Sequence, residues 1–217
     1  MASKYSLFHD KWKNCTKCEL HEKRSKVVVA RGTVPCKVLF VGEAPGESEN
    51  VVGKPFVGPS GRLLDLIIKR SIECSTLCKE CGKLQYVTPS GIVCSNGHGG
   101  ANEMALTYAL TNIVCCIPRD EEGSKVSEPP EECIEACSER LIEFVDICKP
   151  RLIVAVGKLA EDYIRPGYNW SIKLTKKIPT VAIAHPASIL RANVANQGLA
   201  IQRCVVTITD ALEEYLK

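Results

Sequence analysis

The sequence predicts an α/β protein, a three-layer αβα sandwich with a central, mostly parallel four-stranded sheet and a small metal-binding insertion. Apolar runs of strand length alternate with amphipathic helical patterns, which is typical of a parallel sheet covered by helices on both faces. The alternation stops at residues 72–103, where cysteine, glycine and polar residues dominate. We therefore interpret residues 1–217 as one domain that carries residues 72–103 as an inserted module.

The first half of the chain supplies two predicted strands and one predicted helix. The segment KVLFVGEAPG (37–46) predicts a buried strand that ends in a glycine turn. The segment GPSGRLLDLIIKRS (58–71) predicts a helix with leucines and isoleucines on one face. Beyond the insertion, MALTYALTNIVCCIP (104–118) predicts a second strand that ends around Val114.

The second half repeats the alternation. The segment SEPPEECIEACSERLIEFVDICKP (127–150) begins with a cap-like serine and prolines, and predicts a helix up to Pro150. The segment RLIVAVGKLAEDYIR (151–165) predicts a strand, a glycine turn and a helix. The segment KIPTVAIAHPASILR (177–191) predicts a strand followed by a loop, and the remainder to Lys217 predicts a helix.

Composition and charge limit the location and the partners. The formal net charge of +3 over 217 residues is too small to establish a polyanionic partner by itself. No apolar run reaches the roughly 18 residues that suggest a membrane span. The segment Met1–Asn14 is too polar for a signal peptide. We therefore expect a cytoplasmic protein that does not contact membranes, and we expect it to be a monomer.

Thirteen cysteines are the compositional anomaly of this chain. In an intracellular chain of this length, metal sites explain many cysteines better than disulfides do. Three groups stand out, and they are Cys15 and Cys18; Cys74, Cys78, Cys81 and Cys94 with His98; and Cys115, Cys116, Cys133 and Cys137. The isolated Cys36, Cys148 and Cys204 are interpreted as small buried apolar residues.

Four residues that could contribute to an active site follow predicted strands. Glu43, Asn112, Gly157 and His185 each lie at the carboxyl end of one. Ligands of open α/β sheets bind beyond the carboxyl ends of the strands. The sequence therefore predicts that these four residues converge on the active site.

The loop FVGEAPGESENVVGKPFVGPSGRLLD (40–65) follows the first strand and contains no phosphate-binding glycine motif. Its acids Glu43, Glu47 and Glu49 would repel phosphate, although Glu47 by itself is interpreted as a solvated charge. Two other features account for the loop better than phosphate binding does. One is a carboxylate that positions water, and the other is the aromatic ring of Phe56, which stacks on a flat group.

Together these segments resemble the family 4 uracil-DNA glycosylases, the iron–sulfur branch of that superfamily. The resemblance follows the order of the chain and covers nearly all of it: the CxxC at Cys15, GEAPGxxE, GKPFVGxxGxLL, the TN at the end of the second strand, the paired cysteines and the HPA loop at His185. It implies that residues 1–217 form a uracil-DNA glycosylase-like domain that excises uracil from single- or double-stranded DNA and leaves an abasic site in base excision repair.

The resemblance also implies roles for the site residues. Catalytic His185 would donate a hydrogen bond to uracil O2, and catalytic Glu43 would hold the attacking water. The amide of Asn112 matches uracil O4 and N3–H, a pattern that cytosine inverts. Phe56 would stack on the base that is rotated out of the helix. The remaining members of the expected substrate-binding set are Gly42, Ala44 and Glu49, and the role of Glu49 stays open.

Contacts to the DNA backbone are expected from the HPASILR segment. Ser188, Leu190 and Arg191 are the candidates, with Leu190 as a wedge and Arg191 as a phosphate contact. Leu190 and Arg191 could equally form the first turn of the last helix. The lysines at 173, 176 and 177 are further candidates, but such a run is more often a solvated face.

The family binds a [4Fe–4S] cluster through a CxxC near the amino end and two later cysteines. The resemblance assigns the cluster to Cys15, Cys18, Cys116 and Cys137. Cys115 competes with Cys116, and Cys133, one helical turn before Cys137, competes with the fourth ligand. We expect a structural cluster, and zinc at the same cysteines is the alternative.

The insertion has the spacing of a zinc site of its own. Cys78, Cys81, Cys94 and His98 follow a C-x2-C-x12-C-x3-H pattern, which is close to that of zinc ribbons and fingers. Cys74 could replace His98, and reduced free thiols are the alternative. The resemblance gives no support for zinc here, because such an insert is not a general family feature.

Two other functions compete with uracil excision. A glycosylase for another modified pyrimidine would keep the fold and change the substrate. A catalytically silent protein that binds DNA or a partner would depend on the insertion rather than on His185. Release of uracil from an oligonucleotide separates the first function from these two.

Overall fold

The computed structural model describes residues 3–74, 85–88, 91–94, 106–164 and 177–216. Helices and strands alternate along the described parts of the chain. The helices are α1 (Lys4–Trp12), α2 (Glu47–Val52), α3 (Pro59–Cys74), α4 (Glu131–Cys148), α5 (Lys158–Ile164), α6 (Pro186–Arg191) and α7 (Val194–Tyr215). The strands are β1 (Arg31–Gly32), β2 (Val38–Gly42), β3 (Gln85–Thr88), β4 (Gly91–Cys94), β5 (Tyr108–Asn112), β6 (Leu152–Val156) and β7 (Thr180–Ile183).

A five-stranded sheet in the order β1-β5-β2-β6-β7 forms the centre of the molecule. Strands β5, β2, β6 and β7 pair in parallel, which confirms the four predicted strands. Strand β1 pairs antiparallel with β5 at the edge. The sequence did not predict β1, because two residues are too few to show a period.

Alternating side chains of β2 divide the core into two layers. Val38 and Phe40 pack with residues of α3 and α7 on one face. Leu39 and Val41 pack with residues of α1, α4 and α5 on the other. This arrangement confirms the predicted αβα sandwich.

Local differences from the prediction lie at element ends. Strand β5 ends at Asn112, two residues before the predicted end, and the buried segment 113–117 continues as irregular backbone. The HPASILR segment, predicted as a loop, forms α6, because His185 caps a helix whose first residue is Pro186. Leu190 and Arg191 therefore end this short helix and do not begin α7.

The insertion contains a hairpin that the sequence did not predict. Strands β3 and β4 pair antiparallel, with Gln85 opposite Cys94. Of the predicted zinc ligands, Cys94 is the last residue of β4, whereas Cys78, Cys81 and His98 lie outside the described residues. The predicted zinc module therefore stays a prediction.

None of the helices that the structure describes is both long enough and apolar enough to cross a bilayer.

Candidate functional site

The carboxyl ends of the central strands bring the predicted residues to one edge of the sheet. Gly42 and Asn112 end β2 and β5 and face each other in register. The pairing continues past β5, where the Ile113 N–H donates to the Gly42 carbonyl at 2.8 Å and the Val114 N–H donates to the Glu43 carbonyl at 3.1 Å. These hydrogen bonds fix the backbone that carries the side chains of Glu43 and Asn112.

Gly42 leaves a space that two other residues fill. A Cβ at this position would lie 2.4 Å from Phe56 Cζ and 2.6 Å from Asn112 Oδ1. Asn112 is buried, with 2% of its surface exposed, and Phe56 is 6% exposed. The ring and the amide therefore meet over a glycine, and only glycine leaves room for both.

Phe56 holds a backbone conformation that L-residues rarely adopt. Its φ is 56°, in the left-handed region. A Cβ at Gly61 would lie 1.9 Å from the Phe56 carbonyl oxygen, so the loop also requires this glycine. Such strain persists where the surrounding structure holds the residue in place.

Arg31 and Glu49 hold the Phe56 loop from two sides. The Arg31 guanidinium donates to the carbonyls of Pro55 at 2.7 Å and Phe56 at 3.1 Å. Glu49 Oε1 accepts from the N–H groups of Val57 and Gly58, both at 2.8 Å. These bonds give Glu49 a role in positioning the loop, and its expected place in the substrate-binding set stays a prediction.

The other carboxylate oxygen of Glu49 anchors the start of α2. It accepts a hydrogen bond from the Gly46 N–H at 3.2 Å. In the same helix, Glu47 forms a bidentate ion pair with Arg119, with N–O distances of 2.7 and 2.8 Å. Glu47 is exposed, as expected of a solvated charge, and it also pairs with Arg119.

His185 is half-buried and faces the same space. Its Nδ1 accepts a hydrogen bond from the Ala187 N–H at 3.2 Å, so in the neutral ring Nε2 carries the proton. Its ring centroid lies 6.5 Å from that of Phe56. A Cβ at Gly157 would lie 3.1 Å from His185 Cβ, so this glycine, whose φ is 99°, makes room for the histidine.

The electrostatics favour a neutral His185. Burial lowers the pKa of the imidazole below its ordinary value, the positive charge of Arg191 lowers it further, and the negative charge of Glu49 partly opposes both. His185 therefore presents a neutral Nε2–H donor near neutral pH.

Glu43 is half-buried and directly follows Gly42, the last residue of β2. Burial raises the pKa of its carboxyl, and the charge of Glu128 adds to that rise. Within the described part of the chain, its carboxylate accepts no hydrogen bond and forms no ion pair. A carboxylate with unused acceptor capacity is suited to hold a water molecule. Ala44, the next residue, is half-buried and packs against the core on the α4 side.

The predicted DNA contacts follow His185 on α6. The Ser188 hydroxyl donates to the His185 carbonyl at 2.7 Å, which tightens the first turn. Leu190 is 42% exposed, and Arg191 is exposed at the helix end. An exposed apolar side chain and a cation thus lie between one and two helical turns from the candidate catalytic imidazole.

Six cysteines lie together on the α4 side of the sheet. Cys115, Cys116, Cys133 and Cys137 are buried in that core layer, and the half-buried Cys15 and Cys18 pack against it. Cys115 Sγ lies 3.7 Å from Cys137 Sγ. All six are free thiols. We call them the cysteine group.

The two adjacent cysteines of the group differ in their surroundings. Arg24 donates to Cys116 Sγ at 3.1 Å. A hydrogen bond from the Cys115 thiol, together with the Arg24 charge, lowers the pKa of Cys116. The same thiol–thiol bond, together with burial, raises the pKa of Cys115 to about 12. These surroundings favour Cys116 over Cys115 as a thiolate ligand.

The donor set fits an iron–sulfur cluster in its chemistry. Four thiolates on one zinc ion would lie roughly 3.8 Å apart, because Zn–S bonds are about 2.3 Å long. Among the described residues, no three His, Cys, Asp or Glu side chains are grouped closely enough to share one ion. Each thiolate of a [4Fe–4S] cluster binds a different iron, and the four cysteines that the resemblance names all belong to the cysteine group.

Three functional candidates were missed by reasoning from the sequence. Arg31, Glu128 and Arg140 act on residues that lie far from them in the chain. For Arg140 a signal existed, since it is an arginine on the helical stripe formed by Cys137, Leu141 and Phe144. For Arg31 and Glu128 the sequence gives no such signal.

Comparison with known proteins shows the family of the chain. Residues 29–207 match the family model of the Uracil DNA glycosylase superfamily. The chain is 27% identical, over 97% of its length, to the Type-4 uracil-DNA glycosylase of Thermotoga maritima, and spans 94% of that protein. It is 33% identical over 70% of its length to the Type-4 enzyme of Pyrobaculum aerophilum, and spans 60% of that protein. For the Type-4 enzyme of Archaeoglobus fulgidus, identity is 25% over 82% of this chain and 78% of the relative.

Proposed function

The chain belongs to the uracil DNA glycosylase superfamily, and from this premise we propose that it removes uracil from DNA by hydrolysing the N-glycosidic bond. The observation that carries the proposal is the space over Gly42, which the Phe56 ring and the Asn112 amide share. A flat base rotated out of the DNA stacks on the ring and pairs with the amide. Uracil and cytosine present opposite donor and acceptor patterns to such an amide, so Asn112 selects uracil.

The bond between C1′ and N1 breaks with both electrons moving to the base. The sugar becomes cationic, and negative charge develops on the uracil oxygens. The neutral His185 donates its Nε2–H toward uracil O2 as this charge grows, and one preorganised donor of this kind contributes about 3 kcal/mol. Since Ala187 holds Nδ1, the ring does not need to reorient during the step.

Glu43 acts on the sugar side. Its ionised carboxylate orients a water molecule toward C1′ and stabilises the cationic sugar. The water oxygen bonds to C1′, its proton passes to the carboxylate or to solvent, and the uracil anion is released. Leu190 fills the space of the displaced base, and Arg191 contacts a phosphate.

The metal sites belong to the same proposal. Cys15, Cys18, Cys116 and Cys137 hold a [4Fe–4S] cluster that, when bound, would join the amino-terminal segment to α4. Cys78, Cys81, Cys94 and His98 hold zinc in the insertion, residues 72–103. The spacing of the cysteines in the sequence and the chemistry of the cysteine group support these assignments. The cytoplasmic location and the monomeric state stay predictions.

Incubation of the purified protein with a uracil-containing oligonucleotide tests the activity. We expect free uracil and an alkali-labile abasic site, with no release from the matched cytosine oligonucleotide. The His185→Ala and Glu43→Ala variants should each be slower by about two orders of magnitude or more. If neither single- nor double-stranded DNA yields uracil, the proposal is wrong. Release of another modified pyrimidine alone would favour the alternative substrate.

A further inference from the structure

Arg140 is a fully buried arginine on α4, with 0% of its surface exposed. Its guanidinium reaches the end of β5 and the segment that follows it. It donates to Thr111 Oγ1 at 2.9 Å and to the carbonyls of Asn112 at 2.6 Å and Ile113 at 2.5 Å. The Thr111 hydroxyl in turn donates to the Val29 carbonyl at 2.8 Å. Arg140 thus holds the peptide group that follows Asn112 and the next one along the chain, and so fixes the backbone on one side of the Asn112 side chain.

The same guanidinium also contacts the cysteine group. The terminal nitrogen that donates to the carbonyls of Asn112 and Ile113 also lies 3.7 Å from Cys137 Sγ. The Nε of Arg140 is a buried nitrogen for which no described residue offers an acceptor. One side chain therefore touches both the base-selecting end of β5 and a candidate cluster ligand.

The charge of Arg140 requires a buried negative partner. An unpaired buried charge is strongly destabilising, and guanidinium does not lose its proton in proteins. Within the described ranges, no carboxylate forms an ion pair or a hydrogen bond with Arg140. Free thiols are mostly neutral at pH 7, whereas metal-bound cysteines are thiolates. Among the described residues, the group next to Arg140 that can carry a negative charge is the cysteine group in its metal-bound form.

We propose that Arg140 is a positioning residue that couples the cysteine group to base selection at Asn112. The inference rests on the proposed function for its catalytic consequence. The negative charge of the bound cluster retains the guanidinium in the core, and the guanidinium holds the peptide groups of Asn112 and Ile113. Metal binding by the cysteine group therefore affects the orientation of Asn112, although the metal takes no part in the reaction.

The test compares Arg140→Lys with the wild-type protein, both loaded with iron. Lysine keeps the positive charge but lacks the planar guanidinium, whose several N–H groups reach two carbonyls and a hydroxyl at once. We expect kcat for uracil release to fall by about 10- to 100-fold, the loss typical of hydrogen bonds to a charged group. KM should stay within about threefold, because phosphate contacts dominate DNA affinity. Arg119→Lys, an arginine in a surface ion pair with Glu47, is the control and should leave both constants unchanged.

A second measurement does not depend on activity. Arg140→Met removes the charge and keeps a side chain of similar length. We expect this variant to lose iron faster than the wild-type protein in the presence of a chelator, by about tenfold, since the buried thiolates lose their cation. Conversely, the iron-free Arg140→Met protein should unfold at a higher temperature than the iron-free wild-type protein, because it no longer buries an unpaired charge.

Thr111→Val provides an independent variant if Arg140→Lys does not fold. It removes the hydroxyl that accepts from Arg140, and it should lower kcat in the same direction by a smaller factor. Unchanged kcat in both variants at full iron content overturns the proposal, as does an unchanged rate of iron loss in Arg140→Met. If the wild-type protein releases no uracil but Arg140→Met loses iron faster, then the proposed function fails and the link between Arg140 and the metal stands.

Discussion

Gly42 and Asn112 are register partners at the carboxyl ends of β2 and β5, and Asn112 Oδ1 occupies space that a side chain on Gly42 would need. Parallel pairing thus places the selecting amide directly over a glycine. The Phe56 ring enters the same space from the loop before α3. The ring and the amide can meet there because residue 42 has no side chain.

Gly42→Ala should displace the Phe56 ring or the Asn112 amide while the fold persists. The new Cβ would meet Phe56 Cζ at 2.4 Å and Asn112 Oδ1 at 2.6 Å. Such overpacking costs about 1–3 kcal/mol, and either the ring or the amide has to move. We expect uracil release to fall by at least about 100-fold, measured as single-turnover rates.

Gly198→Ala is the matched control. Gly198 lies exposed on α7, and a Cβ there would have no neighbour within 4 Å. This change should leave the rate unaltered and raise the free energy of unfolding by about 0.5–1 kcal/mol. Equal activity in the two alanine variants would show that the space over Gly42 is not the base pocket.

Phe56→Gly should be folded more stably than Phe56→Ala, although glycine is the smaller residue. Both changes remove the ring and its packing. The φ of 56° at this position is strained for alanine and unstrained for glycine, a difference of about 1 kcal/mol. Chemical denaturation of the two variants measures it directly. The same stability in both would mean that the left-handed backbone relaxes once the ring is removed.

The charge of Glu128 should set the acid limit of activity through Glu43. Burial and Glu128 raise the pKa of the Glu43 carboxyl, so the active ionised form is lost as the pH falls through that raised value. In Glu128→Gln the pKa of Glu43 should decrease, and the acid limb of the kcat–pH profile should move to lower pH. Glu132→Gln, an exposed acid on α4, should leave the profile in place. A shift of the limb to higher pH would contradict the assignment of Glu43.

His185 should make folding stability depend on pH. Its folded-state pKa is lowered, so the unfolded chain takes up the proton first as the pH falls. The stability contributed by the neutral ring is fully present above the unfolded value of about 6.5, and decreases as the pH falls toward the folded-state pKa. His185→Gln should lack this decrease, and His9→Gln, which removes an exposed imidazole from α1, should retain it. Melting temperatures across this range provide the measurement.

Iron content should identify the cluster ligands among the cysteine group. Serine at Cys15, Cys18, Cys116 or Cys137 should abolish visible absorption and iron binding, because each removes a thiolate ligand. Cys115→Ser and Cys133→Ser should retain about four irons per chain. If Cys137→Ser retains iron and Cys133→Ser loses it, the fourth ligand is Cys133, one helical turn earlier. Zinc analysis of Cys78→Ser and Cys81→Ser tests the insertion in the same preparations.

The sequence by itself determined the layers of the fold and the edge that carries the site. Apolar periodicity is a local property, and it identified β2, β5, β6 and β7 together with the helices that follow them. Because parallel strands end at one edge, it also placed Glu43, Asn112 and His185 at that edge. The antiparallel strand β1, the hairpin β3–β4 and the helices α1 and α2 were missed, since each is too short or too polar to show a period.

The tertiary structure decided how the site residues are held. Loop packing sets the left-handed backbone of Phe56 and the three N–H groups that donate to Glu49. The contacts of Arg31 and Arg140 join residues that are distant in the chain. A side chain's hydrogen-bond partners depend on which segments the sheet brings together, and residue order does not carry that information locally. For this reason the loop-holding bonds of Glu49 and the contacts of Arg140 with the end of β5 came only from the tertiary structure.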